Sequence, residues 1–269
     1  MTDFVKIVGQ LDNRQNECFV GGGFHEIISL ENLFAAWREF RRGKQKKADV
    51  QKFEYHLEDN IFMLHKDLKQ EIYRHGAYFQ FRINDPKQRL ISKASVRDRL
   101  VHRAIYRVLY PLFDTAFIYN SYSCRVNKGT HAGFRRLVQL LRKKSSNYRR
   151  PCWALKCDIK NFFDSVDHAV LIQFLKKKIS DPQTIQLLKE IINSFHLRQD
   201  KGMPLGNLTS QLFANVYLDP LDKYVLHQLN QPAYVRYADD FIVLGDTRDA
   251  VAQRVEPIQI FLQKHLHLA

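Results

Sequence analysis

The spacing of hydrophobic residues predicts that the first third of the chain is mainly helical. From Val50 to Ile72, apolar residues recur every three or four positions, which is the pattern of one face of an amphipathic helix. We predict one long helix here, stopped by Gly76. A later helical pattern begins with Asp181 and Pro182, a pair typical of the N-cap and first position of a helix.

Another helical pattern follows Ser95, a predicted N-cap. Its apolar residues share one side, whereas four arginines fall outside that stripe: Arg97, Arg99, Arg103 and Arg107. A solvated helix face explains such arginines without any functional role. The basic segment at 142–150 then predicts an exposed tip before the next strand.

Alternation of apolar and polar residues predicts the strands. Phe79, Phe81 and Ile83 alternate with other residues, NDPK then favours a turn, and a second short strand carries Arg89, so this stretch is predicted to be a basic hairpin. A buried strand is predicted from Cys152 to Cys157, with an acid at its end.

The remaining strands are predicted around two adjacent acids. In YVRYADDFIVL, residues 234–244, Asp239 and Asp240 separate two runs of β-branched and aromatic residues, a pattern typical of a tight hairpin. A loop rich in glycine and proline and then a long helix precede it, at 202–229. The order of these elements predicts an α+β fold with an antiparallel element in its core.

The composition favours a globular protein with a polyanionic partner. Of 269 residues, 45% are hydrophobic, which is enough for a substantial core. The 42 Lys and Arg residues against 28 Asp and Glu give a formal net charge of +14, which favours nucleic acid. The sequence has no apolar run of 18 residues and no signal-peptide pattern at its start, so we expect a cytoplasmic protein with no membrane partner.

Two further sequence features exclude other kinds of site. The cysteines form no C-x-x-C pair and have no histidines at zinc-finger spacing, so we expect neither a disulfide framework nor structural zinc. The sequence VGGGF at 20–24 lacks the Lys-Ser/Thr that follows a phosphate-binding loop, and we interpret it as a connector.

Asp158, Asp239 and Asp240 are the candidate chemical residues. Each acid alone is more typical of a cap or a solvated turn. Together, two acids in a hairpin turn and one at the end of a neighbouring strand can converge on one or two divalent cations, as in polymerases. Adjacent carboxylates repel each other unless a positive charge lies beside them, and hard Mg²⁺ prefers carboxylate and phosphate oxygens.

Several motifs together resemble the reverse transcriptase family. YADD in a strand–turn–strand is preceded, in the family's order, by CDIKNFFDSVDH at 157–168 and GMPLGNLTSQLFANVYL at 202–218. The resemblance extends from Leu90 to Leu244, and several motifs in order are more specific than one. It implies a right-hand polymerase with fingers and palm that copies RNA into DNA with two Mg²⁺ ions, for which Mn²⁺ can substitute.

The resemblance also implies roles for individual residues. The implied catalytic residues are Asp158, Asp239 and Asp240, and these three with Ile159 are the implied metal-binding residues. Phe163 resembles the steric gate that excludes a ribose 2′-hydroxyl. The implied nucleotide-binding residues are Lys87, Arg89, Phe163, Leu205 and Gly206, and the implied template or primer contacts are Arg125, Lys128, Asn207 and Gln211. Template contact is the alternative for the hairpin residues, and a structural role is the alternative for Arg125 and Lys128.

One motif departs from the usual family pattern. Leu205 and Gln211 stand where most reverse transcriptases have a glutamine before the glycine and a proline after the serine. The pattern resembles the enzymes of diversity-generating retroelements, which copy a template RNA into mutated cDNA, so we predict that subgroup. The alternatives are a group II intron or defence-associated reverse transcriptase, including a CRISPR-associated one, and an RNA-binding module without catalysis.

The resemblance implies a division into three regions. Residues 1–76 form an N-terminal helical region, 77–150 the fingers and 151–269 the palm, with fingers elements mixed in around 165–200. The family continues with further palm strands and a helical thumb, so a truncated chain that lacks the thumb is expected. The expected partners are template RNA, primer and cDNA, deoxynucleoside triphosphates, and a basic or RNA-binding accessory protein.

Overall fold

The computed structural model describes residues 23–84 and 88–269. Most of the predicted glycine connector and the whole of Lys87 lie outside the described residues. The helices are α1 Phe24–Ile28, α2 Leu30–Arg41, α3 Ala48–Tyr55, α4 Leu57–Lys69, α5 Val96–Asp114, α6 Thr130–Lys144, α7 Phe162–Ser165, α8 His168–Lys176, α9 Pro182–Asn193, α10 Leu208–Lys223, α11 Arg248–Ala252 and α12 Val255–Leu266. The strands are β1 Phe79–Asn84, β2 Gln88–Lys93, β3 Trp153–Asp158, β4 Tyr234–Tyr237 and β5 Asp240–Gly245. A π-helical turn, Tyr224–Gln228, extends α10.

The long helix predicted before Gly76 is in fact two helices. His56 separates α3 from α4, because its backbone (φ −119°, ψ 43°) leaves the helical region. Helix α4 ends at Lys69, well before Gly76. Glu71 then has a left-handed backbone with φ of +56°, and Ile72 is exposed. The prediction was wrong because both helices bury apolar residues in the same core, so the spacing continues across the break.

The arginines of α5 do not form the predicted solvated face. As predicted, the Ser95 hydroxyl caps this helix by accepting from the Asp98 amide at 3.1 Å. Acids of the N-terminal helices lie opposite the arginine side of α5. The ion pairs are Arg97 with Asp67, Arg99 with Asp49, Arg103 with Glu39 and Arg107 with Glu39. The interpretation as a solvated face was wrong, because acids of neighbouring helices cover the basic side of α5. The apolar pattern of α5 carries no information about these acids.

The predicted hairpins are confirmed, and the main sheet has three strands. β1 and β2 pair antiparallel as a separate ribbon. The other sheet is antiparallel in the order β3-β5-β4, with β5 at its centre. β3 was predicted to be buried, but Trp153 is 46% exposed. That prediction was wrong because β3 lies at the sheet edge and pairs on one side only.

Helix α10 connects the sheet to the rest of the core. It packs against α5, α8 and α12, and Tyr217, Leu218 and Leu221 are completely buried along it. The same hydrophobic core contains Tyr234 and Phe241 from the sheet. The predicted α+β fold is confirmed. Within the described residues, none of the helices has the length and apolar character needed to span a membrane.

Candidate active site

Strand pairing brings three acids to one end of the main sheet. Asp158 is the last residue of β3 and lies opposite Asp240, the first residue of β5. Tyr237 pairs with Asp240 across the β4–β5 hairpin, which leaves Ala238 and Asp239 as a two-residue turn. The register of the sheet therefore brings Asp158 to the same end as the adjacent acids Asp239 and Asp240, which lie far from it in sequence.

The carboxylates act on one another electrostatically. Burial raises the pKa of Asp239, and the negative charges of Asp158 and Asp240 raise it further, whereas Arg89 lowers it. This repulsion is what a bound cation would relieve.

The donor atoms at this edge fit a magnesium ion that is shared with a substrate. In the part of the chain that the structure describes, no group of three or more His, Cys, Asp and Glu side chains is arranged to hold a metal ion. Mg²⁺ is commonly bound by one or two carboxylates together with substrate phosphates and water. Asp158 and Asp239 provide that number of carboxylates. Ile159 can offer only its main-chain carbonyl, because its side chain is apolar and buried.

Phe163 lies on the connection that follows Asp158. Asn161 adopts a left-handed conformation (φ +50°) and turns the chain from β3 into the short helix α7. The Phe163 carbonyl accepts a hydrogen bond from the Met203 amide at 2.7 Å, and its ring packs edge-on against the buried Phe162 at 5.2 Å. Phe163 is half-buried, so part of its side chain stays accessible.

The loop before α10 is joined to the basic hairpin. The Ser92 amide donates to the Leu205 carbonyl at 3.1 Å, and Asn207 Nδ2 donates to the Ser92 carbonyl at 2.8 Å. Asn207 is 2% exposed, so its side chain holds this junction and is not presented to a template. Gln211 is exposed on the first turn of α10 and is free to contact nucleic acid.

Gly206 is required by the close approach of this loop to β2. Its φ is +100°, and a Cβ atom at this position would lie 2.9 Å from Ile91 Cγ2. Any other residue would therefore have both an unfavourable backbone and a steric conflict with the hairpin. The sequence-based prediction assigned Gly206 to the nucleotide site, and the structure adds this packing reason for glycine.

We expect Gly206→Ala to destabilise the protein by about 1–3 kcal/mol, because a strained backbone and a displaced β2 both raise the free energy of the folded state. Chemical denaturation measures this change. Gly129→Ala is the matched control, since Gly129 has a similar φ of +112° but no atom within 4 Å of the added carbon. Equal destabilisation by the two substitutions would show that the contact with Ile91 contributes nothing.

Arg125 has a structural position. Its side chain is 6% exposed and pairs with Asp114 at 2.6 Å, while its Nη1 donates to the carbonyls of Ile118 and Ser121. With its donors used inside the chain, Arg125 fixes a loop, which favours the structural alternative over template contact. Lys128 is more accessible, but its ammonium also has partners within the chain: it donates to the Tyr119 carbonyl at 2.7 Å and lies 3.7 Å from the centre of the Tyr119 ring.

Arg236 is the site residue that sequence reasoning missed. It lies in β4, three residues before Asp239, and its side chain is completely buried against Asp222. The available signal was a charged residue within a strand of otherwise apolar and aromatic residues, where burial requires a partner. The partner could not be identified, because Asp219 and Asp222 lie in the same helix and the sequence does not show which of them faces β4.

Comparison with known proteins identifies the family. The family described as "Reverse transcriptase (RNA-dependent DNA polymerase)" matches residues 82–267. The chain is 29% identical over 149 residues to the group II intron-encoded protein LtrA of Lactococcus lactis subsp. cremoris, with 53% of this chain and 24% of LtrA covered. It is 26% identical over 244 residues to the putative COX1/OXI3 intron 2 protein of Saccharomyces cerevisiae, with 83% and 27% covered.

A solved structure shows the same fold. The chain matches a protein of a partial Cas6-RT-Cas1–Cas2 complex with a TM-score of 0.51 and 22% identity, over 89% of this chain and 42% of that one. The chain thus spans about a quarter of the length of the two intron proteins and less than half of this structural relative. Since the family match covers more than half of the chain and includes all three acids, the chain belongs to the reverse transcriptase (RNA-dependent DNA polymerase) family.

Proposed function

We propose that this chain carries the polymerase site of an RNA-directed DNA polymerase. The observation that carries the proposal is the sheet register that sets Asp158 opposite Asp240, with Asp239 in the adjoining turn. Asp158 and Asp239 would hold Mg²⁺, or Mn²⁺ in its place, with Asp240 beside them. When bound, the ion would supply the chemistry known for such sites, activation of the primer 3′-hydroxyl and charge stabilisation at the leaving pyrophosphate.

The other residues of the site would position the nucleotide. Arg89 lies in β2 and its positive charge lowers the pKa of Asp239, and a guanidinium suits the triphosphate of an incoming nucleotide. Phe163 would exclude a ribose 2′-hydroxyl. We retain 77–150 as the proposed fingers and 151–269 as the proposed palm, because the β1–β2 ribbon and the three-stranded sheet fall in these two regions.

Template RNA, primer and deoxynucleoside triphosphates are the proposed partners. The net charge of +14 supports binding to a polyanion. The structural relative belongs to a complex with Cas6, Cas1 and Cas2, and that association supports the proposal of accessory proteins for this chain without identifying them. The cytoplasm is the proposed location.

Primer extension tests the proposed function. The purified protein is given an RNA template, a DNA primer and deoxynucleotides, with Mg²⁺ or with a chelator. We expect DNA synthesis that requires both the metal and the RNA template. A protein that binds RNA with a steep salt dependence but makes no DNA would instead be an RNA-binding module.

Two groups of reverse transcriptases are candidates for the lineage of this chain. LtrA and the yeast relative are intron proteins, which supports a group II intron-like lineage. The finer prediction, an enzyme of a diversity-generating retroelement, rests on Leu205 and Gln211. A template repeat beside a variable repeat in the flanking DNA would support the retroelement, and intron RNA boundaries would support the intron.

We expect Leu205→Gln to lower misincorporation, most of all opposite template adenine if the retroelement assignment holds. Leucine cannot hydrogen-bond near the nascent base pair, and a difference of about 1.4 kcal/mol between right and wrong pairs changes discrimination roughly tenfold. Sequencing of cDNA made by both proteins from one adenine-containing template measures the error spectrum. Gln211→Pro is the companion variant. It restores, at an exposed position, the proline that most reverse transcriptases have after the serine. An active Leu205→Gln protein with an unchanged error spectrum would exclude Leu205 as a fidelity determinant.

A further inference from the structure

A buried ion pair lies next to the acidic turn. The side chains of Arg236 and Asp222 are both 0% exposed, and the guanidinium donates to both oxygens of the Asp222 carboxylate at 2.7 Å. Asp222 belongs to the last turn of α10, and Arg236 belongs to β4. The pair therefore connects the central helix to the strand that leads directly into the turn.

The remaining donors of Arg236 reach the turn itself. Nη1 donates to the Ala238 carbonyl at 3.0 Å and to Asn215 Oδ1 at 3.2 Å, and Nη2 donates to the Ser121 hydroxyl at 3.1 Å. Ala238 has a left-handed backbone with φ of +54°, which is unfavourable for a residue with a side chain. Its carbonyl belongs to the peptide bond that precedes Asp239, so this hydrogen bond holds the backbone of a proposed metal ligand.

We propose that Arg236 is a positioning residue that fixes the peptide between Ala238 and Asp239, so that the Asp239 carboxylate is directed toward Asp158. This inference rests on the proposed polymerase function. Stability alone is a weak reason for a buried ion pair, because apolar residues of similar volume often serve as well. The planar fork of arginine can bond a carboxylate and a nearby carbonyl at once, and a single ammonium group cannot reproduce that arrangement.

Arg236→Lys is the first test, because it keeps the buried positive charge beside Asp222 but loses the fork. We expect a folded protein in which kcat for single-nucleotide addition falls about 100-fold, the effect of a small misplacement of a reacting group. The KM for the template and primer should stay within about threefold, since phosphate contacts are unchanged. Electron paramagnetic resonance of Mn²⁺ should show weaker binding of this ion to the variant than to the parent protein.

A second variant removes the ion pair without leaving buried charge. Asp222 also accepts a hydrogen bond from the Tyr234 hydroxyl at 2.7 Å, so the variant combines Asp222→Leu, Tyr234→Phe and Arg236→Met. We expect it to fold with a lowered unfolding temperature, because the Ala238 carbonyl, Asn215 and Ser121 lose the donors of Arg236, and we expect its kcat to fall as in Arg236→Lys. Arg41→Met is the control, since it removes the exposed Arg41–Glu54 ion pair and should change neither activity nor Mn²⁺ binding.

The outcomes separate this inference from the proposed function. A folded Arg236→Lys or triple variant with kcat and Mn²⁺ affinity within about threefold of the parent would overturn the positioning role. Unfolding of both variants would assign the pair to stability and would also overturn it. If Asp239→Ala extends primers normally as well, the polymerase site itself is misassigned, whereas loss of activity in Asp239→Ala alone rejects only the role of Arg236.

Discussion

Asp158→Ala and Asp239→Ala are each expected to reduce primer extension at least about 1,000-fold, because loss of a metal ligand removes stabilisation of the transition state. The affinity for RNA should stay within about threefold, since neither acid contributes a phosphate contact. Extension of a labelled primer and filter binding of the same RNA measure the two quantities.

The matched control for these substitutions is Asp246→Ala. Asp246 is an exposed acid just beyond the opposite end of β5 and pairs with Lys144, so its loss should leave extension unchanged. The Asp239→Ala protein is expected to stay folded, so unfolding does not explain its loss of activity. The substitution removes a carboxylate whose pKa is raised by burial and by repulsion from Asp158 and Asp240. Without metal, this variant should be at least as stable as the parent at neutral pH, where that carboxylate is otherwise charged. Near-normal extension by either variant would contradict the metal assignment.

The second large effect is expected for Phe163→Ala, which should raise the relative use of ribonucleotides at least about tenfold, since removal of the ring opens space beside the 2′ carbon of the sugar. The carbonyl of residue 163, which accepts from the Met203 amide, is preserved in this variant. The ratio of kcat/KM for a deoxynucleotide to that for the matching ribonucleotide is the measurement.

Phe174→Ala provides the control for loss of an aromatic ring. Phe174 is also a partly buried phenylalanine of the same core, but it packs against Tyr217 on α10. Its substitution should lower stability without changing sugar selectivity. If Phe163→Ala is active and has an unchanged ratio, Phe163 is not the steric gate.

Local patterns were sufficient to predict the hairpins and the end of β3. The alternation around Asp239 and Asp240 restricts the chain to a tight turn between two strands, and Asp158 ends a run with strand propensity. The pairing of β3 with β5, which sets Asp158 against Asp240, is a long-range contact that no local pattern encodes. It could be expected only because the motif order resembled a known family.

Other features depend on tertiary contacts and could not be predicted. The spacing of apolar residues shows which side of α3 and α4 is buried, but it does not show that His56 interrupts the helix. Arg125 looked like a basic residue available for RNA, although Asp114 and nearby carbonyls use its donors. Asn207 was likewise assigned to the template, yet it is buried at the junction with β2. The break at His56 depends on backbone conformation, and the roles of Arg125 and Asn207 depend on tertiary contacts. The spacing of residues in the sequence reports neither.

The most direct test of the central claim is the location of a bound metal. A crystal of the protein with an RNA template, a DNA primer that lacks its 3′-hydroxyl, an incoming deoxynucleotide and Mn²⁺ would show the ion by its anomalous scattering. We predict an anomalous peak with oxygen atoms of both Asp158 and Asp239 at about 2.0–2.2 Å, in contact with the nucleotide phosphates. A nucleotide complex in which the ion is bound elsewhere, or contacts neither acid, would contradict the account.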